Sequence, residues 1–164
     1  MAKTITALYK TPTSAGEAVD RLMDKGFSSD DVSVLMNTDT HGRAFGIKES
    51  SKAPEGAAAG GALGGALGAI AGGLIAVGTL ATGGAGIIAA GPVVAALAGG
   101  GAGAAAGGVL GGLMGWGVTE HEAKLYADGV ENGHILVGVK AHNDRADAAV
   151  EVLKNTGGGE IHTR

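Results

Sequence analysis

Ile135-Leu136-Val137-Gly138-Val139-Lys140 leads into apolar positions Ala146, Ala149, Val150 and Leu153, and the pattern stops at Gly157. Ile5-Thr6-Ala7-Leu8-Tyr9-Lys10 does the same near the other end, leading into Ala15, Ala18, Val19, Leu22 and Met23 before Gly26, at an offset of about 130 residues. An extended apolar run followed by apolar residues three and four apart reads as a strand and then an amphipathic helix. A short extended run follows each helix, Val32 to Met36 in the first copy and Glu160 to Thr163 in the second. The two ends are therefore copies of one strand-helix-strand unit. Neither copy can bury its apolar face alone, so the pair predicts an α+β fold, a split ferredoxin-like sandwich with a four-stranded sheet and helices on one face.

The helix starts carry their own signals. Ser14 with Glu17 three residues on reads as a capping box, and Asn143 or Asp144 can cap the second helix. Between the copies, Thr119 with Glu122 makes another capping box, and Ala123, Tyr126, Ala127 and Val130 follow at i, i+3, i+4 and i+7 before Gly133. This helix links the middle of the chain to the second copy.

The middle is different in kind. Gly56, Gly60, Gly64, Gly68 and Gly72 form one ladder with a strict spacing of four, and Gly99, Gly103, Gly107, Gly111 and Gly115 form another. Residues four apart share a helix face, so each ladder opens a groove in which a second helix approaches to backbone contact. Gly56 to Ala81 reads as one helix, with Leu63, Leu67, Ile70, Leu74 and Val77 between the glycines. Pro92 to Trp116 reads as a second, and Thr82 to Gly91 as the turn. The expected organisation is an N-terminal half over 1–54, a glycine-zipper hairpin over 55–118, and a linking helix with the C-terminal half over 119–164.

Glycine costs roughly 1 kcal/mol against alanine inside a solvated helix, so such helices need tight enclosure. The phased period with interleaved Leu, Ile and Val argues against a flexible linker. Each segment has enough residues, about 25, to cross a bilayer core of about 30 Å. Ala and Gly are weak drivers of insertion, however, and no Lys or Arg cluster flanks Gly56 or Val118. Burial by other copies of the chain is the alternative, because a domain of about 100 residues cannot wrap two helices about 37 Å long that are apolar on every side. Trp116 fits either an interfacial anchor or a cap on an apolar layer.

All 28 charged residues lie outside Gly56–Thr119, and the net charge of −4 leaves no basic patch, which argues against nucleic acid. Zero cysteine removes disulfides and thiol chemistry, and the first residues lack the apolar stretch of a secretory signal, so a cytoplasmic setting is expected. His41, His121, His134, His142 and His162 include no pair at metal-ligand spacing on one helix. His134 and His162 approach each other only if the two C-terminal strands are neighbours. No phosphate-loop motif is present, and the loose match at Gly84, Gly86 and Ala89 lacks the acidic residue that a ribose contact requires. Asp30 with Asp31 reads as turn capping, and Asp144, Arg145 and Asp147 as a solvated helix start. No catalytic residue, cofactor or metal is expected.

The arrangement resembles a bacterial family of general stress proteins, the heat-induced and low-temperature-induced group. The likeness rests on Thr4 to Tyr9, Ala18-Val19-Asp20-Arg21-Leu22 with Gly26-Phe27, the glycine-rich insertion, Glu122-Ala123-Lys124-Leu125-Tyr126-Ala127 with Gly133, and Ala149-Val150-Glu151-Val152-Leu153. The resemblance implies a stress-linked, non-enzymatic protein. The combined expectation is a homo-oligomer assembled through the hairpins, on the cytoplasmic side and at or in a membrane. The alternatives are a lipid-free soluble particle, or a sandwich that hosts a small-molecule or enzymatic site.

Overall fold

The computed structural model describes residues 2–40, 79–80, 87–91, 113–114 and 118–163. They form an α+β fold: a six-stranded antiparallel sheet with three helices. In chain order these are β1 (Ala2–Tyr9), α1 (Pro12–Asp24), β2 (Val32–Asn37), β3 (Thr79–Leu80), β4 (Ile87–Ala90), α2 (Glu120–Glu131), β5 (Ile135–His142), α3 (Asn143–Asn155) and β6 (Gly159–Thr163). The spatial order is β3-β4-β2-β5-β1-β6. The opening strands of the two copies, β1 and β5, pair along their full length, with Ala2 opposite His142 and Tyr9 opposite Ile135.

Period-two alternation decides which side chains share a core. Ile5, Ala7 and Tyr9 of β1, Val32, Val34 and Met36 of β2, and Ile135, Val137 and Val139 of β5 lie on one face. There they meet Ala15, Ala18, Val19 and Leu22 of α1 and Ala146, Ala149 and Leu153 of α3. The opposite face presents Leu8, Leu35 and Leu136, covered by Ala123, Tyr126, Ala127 and Val130 of α2 together with Leu113 and Val118. Helices thus pack on both faces, where the two copies alone led us to expect one. Burying both sides explains why all six residues of β2 are inaccessible.

Local details differ at the helix starts. Pro12 begins α1, so Thr11 is the N-cap and accepts from Ser14 N, while Glu17 pairs with Arg21 one turn on instead of closing a box with Ser14. α3 follows His142 with no side-chain cap, and Asp144 sits in its first turn. The Thr119–Glu122 capping box of α2 forms with both of its reciprocal bonds. Gly26, Gly133 and Gly157 end the three helices at positive φ.

Thr79–Leu80 is strand where the first apolar helix was expected to end, and Ile87–Ala90 is strand where a turn was expected. β4 pairs with β2, Val34 opposite Ala90 through Asn37 opposite Ile87, and β3 pairs outside β4. The physical reason is the demand of β2: buried on both faces, it leaves a row of backbone donors and acceptors that need a partner strand, and Ile87-Ile88 is the β-branched pair in reach. The ten ladder glycines and Trp116 lie outside the described residues.

Candidate functional site

The region with the most unusual sequence is held to the sandwich at three places, by side-chain hydrogen bonds, by strand pairing and by apolar packing. At the entry, the buried Asn37 side chain donates to the carbonyls of Val130 at 3.1 Å and Glu131 at 3.2 Å, and its Oδ1 accepts from Thr40 N at 2.6 Å. Thr40 Oγ1 donates to the Gly133 carbonyl at 3.1 Å. Backbone N–H groups of Asn132, His134 and Gly133 reach the carbonyls of Asp128, Gly129 and Val130, and the chain leaving β2 adds a second donor to Val130 and supplies one to Glu131.

In the middle, β4 lies on β2, and Gly91 closes the contact. Gly91 has φ +106°, and a Cβ there would stand 2.4 Å from the Val32 carbonyl oxygen. Only glycine combines that backbone conformation with that approach. At the exit, Leu113 is fully buried with Val118 against α2, while Met114 is half exposed.

A second cluster lies where α2 crosses β1 and β6. The Tyr126 hydroxyl donates to the Glu160 carbonyl at 2.7 Å and stands 2.9 Å from Thr6 Oγ1. With its single proton committed to Glu160, it accepts from Thr6. Glu160 adopts φ 49°, which turns its carbonyl toward that hydroxyl at the point where the β1–β6 register shifts. His162 packs edge-on to the Tyr126 ring, centroids 5.8 Å apart, and its Nδ1 meets Glu122 Oε1 at 2.5 Å. Burial, with the Glu122 and Glu160 charges adding to it against the opposing Thr6 bond, pushes the Tyr126 hydroxyl up to about 12. Each of these polar groups finds its partner within the cluster, so the arrangement works as a clamp between α2 and the sheet edge.

The histidines do not gather. β1 lies between β5 and β6, so the two C-terminal strands are not neighbours, and His162 pairs with Glu122 and not with His134. His134 Nδ1 is buried with no partner, near Leu8 and Gly129. No group of three or more His, Asp or Glu side chains suited to a metal ion occurs among the described residues. Ala89 of the loose phosphate motif lies inside β4 and opens no helix.

Of the two turn carboxylates, Asp31 caps as expected. Asp31 Oδ2 accepts from both Ser28 N and Ser28 Oγ at 2.9 Å, which fixes the turn before β2. Arg145, expected to face solvent, is instead half-buried: its guanidinium lies 4.2 Å above the Phe27 ring and donates to the Lys25 carbonyl at 2.8 Å. It ties the start of α3 to the end of α1, a role that depends on the two copies packing side by side. A shallow groove of about 360 Å³ opens nearby between those helices, lined by Arg21, Asp24, Lys25, Glu151, Val152 and Asn155.

Comparison with family models, with curated proteins and with solved structures finds no match to this chain.

Proposed function

We propose that this protein is a non-enzymatic, self-assembling protein in which a ferredoxin-like unit carries glycine ladders that pack against the ladders of other copies. Support for the ferredoxin-like unit comes from the order β2-β5-β1-β6 of the strands contributed by the two copies, with α1 and α3 on one face. The remaining helix, α2, closes the other face and holds both ends of the insertion.

The observation that carries the assembly reading is the pairing of β4 with β2. A bilayer hairpin requires its turn on the far side of the membrane from its charged ends. Here Ile87–Ala90 lies in the sheet beside those ends, with Thr40 held to α2 on one side of it and Leu113 on the other. Each ladder segment starts and finishes on the sandwich, which favours burial by protein over a membrane crossing. No helix among the described residues is long and apolar enough to cross a membrane. The likeness to general stress proteins adds a stress-linked setting to the proposal.

Density-gradient flotation of a detergent-free lysate, followed by sizing of the fraction that holds the protein, tests this reading. Sedimentation as a soluble particle larger than a trimer is expected. Flotation with lipid overturns it.

A further inference from the structure

We infer that Asn132 is a site of spontaneous deamidation, and that the hydrogen bonds anchoring the entry of the insertion to α2 keep it closed. Water is the only co-reactant.

The chain has four asparagines, and Asn132 alone precedes a glycine. A glycine nitrogen, with no Cβ beside it, swings readily onto the preceding side chain. In the reaction the Gly133 nitrogen bonds to Asn132 Cγ while the Cγ–Nδ2 bond breaks, and Nδ2 leaves as ammonia with the glycine amide proton. Water then opens the cyclic imide at either carbonyl. One product is aspartate. The other is isoaspartate, in which the main chain runs through the former side-chain carbon and is a methylene longer.

The Asn132 side chain is exposed, so water reaches it, but the native backbone holds the reacting atoms apart. Asn132 caps α2 with ψ 7°, which places the Gly133 nitrogen over the Asn132 nitrogen and away from Cβ. Gly133 N–H donates to the Val130 carbonyl at 3.0 Å, so the proton that must leave is engaged. Asn132 Nδ2 donates to the Asp128 carbonyl at 2.7 Å, which turns Cγ back along the helix. The Gly133 carbonyl accepts from Thr40 Oγ1 at 3.1 Å, and His134 N–H donates to the Gly129 carbonyl at 2.9 Å. Bringing Cγ and the Gly133 nitrogen together turns both ψ and the side chain, and these bonds break with the turn. Thr40 belongs to the entry anchor, so release of that anchor and exposure of the reactive pair are one local opening.

The change does not reverse. Isoaspartate carries the Gly133 carbonyl off Thr40 Oγ1. Either product adds a negative charge at the C-terminal end of α2, beside Glu131 and one turn from Asp128, where the helix dipole disfavours it. A lasting opening is thereby written into the covalent structure, and the entry of the insertion stays loose afterwards.

The full-length protein, incubated in heavy-oxygen water at mildly alkaline pH and mapped by peptide mass spectrometry, provides the test. Label and isoaspartate at residue 132 should accumulate slowly in the native protein and fastest in the urea-unfolded chain. Thr40→Ala should quicken the native rate about fivefold, the shift in opening expected from one lost hydrogen bond, and Thr40→Ser should restore it. Unchanged hydrogen exchange at the amides of residues 135–140 shows that the alanine variant opens locally. A native rate equal to that of the unfolded chain overturns the gate, and this comparison stands even if the alanine variant fails to fold. An unfolded chain that gains no label at residue 132 overturns the site itself.

Discussion

The Tyr126 hydroxyl stands 2.9 Å from Thr6 Oγ1 and donates to the Glu160 carbonyl, joining α2 to both β1 and the edge strand β6. Its proton is held up to about 12, mainly by burial, while the same group in an unfolded chain titrates near 10. A group whose pKa is raised on folding contributes its full stabilisation below the unfolded value and loses it as the pH climbs through the folded one. Stability should therefore be flat up to about pH 10 and decline between pH 10 and 12, with Tyr9, raised in the same direction by burial, adding to the loss. Tyr126→Phe should lower stability at pH 7 by about 1 to 2 kcal/mol and flatten the alkaline decline. Urea unfolding at a series of pH values checks both. An unchanged alkaline slope in the variant would mean that the hydroxyl is not the responsible group.

Asn37→Ala should be costlier than its size suggests. The change removes the donor to the Glu131 carbonyl and the acceptor of Thr40 N at a site that is 4 % exposed, and leaves the Val130 carbonyl with Gly133 N alone. A loss of about 2 to 3 kcal/mol is expected, against less than about 1 for Asn132→Ala at the exposed end of the same helix. Equal losses for the two would remove the special role assigned to the buried amide.

What was legible in the chain follows the range of each interaction. The apolar positions of α1, α2 and α3 are set by local periodicity, and Ala15, Ala18, Val19, Leu22, Ala123, Tyr126 and Val130 are buried as that periodicity requires. Thr119 and Glu122 are three apart, so their box was readable as well. The Thr11-Pro12 pair was a start signal of the same kind, since Pro at the first helical position makes the preceding Thr the cap; Ser14 and Glu17 obscured it. Asn37 meets carbonyls 93 and 94 residues away, and nothing near it in sequence announces them. Arg145 reaches Lys25 across 120 residues. β4 was hidden differently: Thr82 to Gly91, rich in Gly and Ala, reads as the turn between two apolar segments, and only the need of β2 for a partner shows that part of it is a strand.

Gly91→Ala tests the docking of that strand directly. A Cβ there would stand 2.4 Å from the Val32 carbonyl oxygen and 2.6 Å from Ser33 Cα, on a backbone at φ +106° that L-residues rarely adopt. The pairing of β4 with β2 should open while β1–β5 holds, since its strands are ordered by their own cores. Hydrogen exchange should quicken by tenfold or more, about 1.4 kcal/mol, for the backbone of residues 34–37 and 87–90. The amides of residues 135–140 should change little. Uniform acceleration across the sheet would show instead that the insertion is integral to the core.

The ladders predict the sharpest change. In the proposed assembly, a leucine side chain at Gly64 and Gly68 of one ladder, or at Gly103 and Gly107 of the other, fills the groove through which a second helix would approach to backbone contact. Leucine is also the better helix former by roughly 0.8 kcal/mol per site, so these variants should not lose local helicity. Any loss of assembly then reports close packing and not a broken helix. Gly64→Leu/Gly68→Leu and Gly103→Leu/Gly107→Leu should each reduce the particle to its smallest folded unit in light scattering. The far-ultraviolet circular dichroism contributed by the sandwich should be retained. Particle mass unchanged in both variants would sink the assignment of assembly to the ladders.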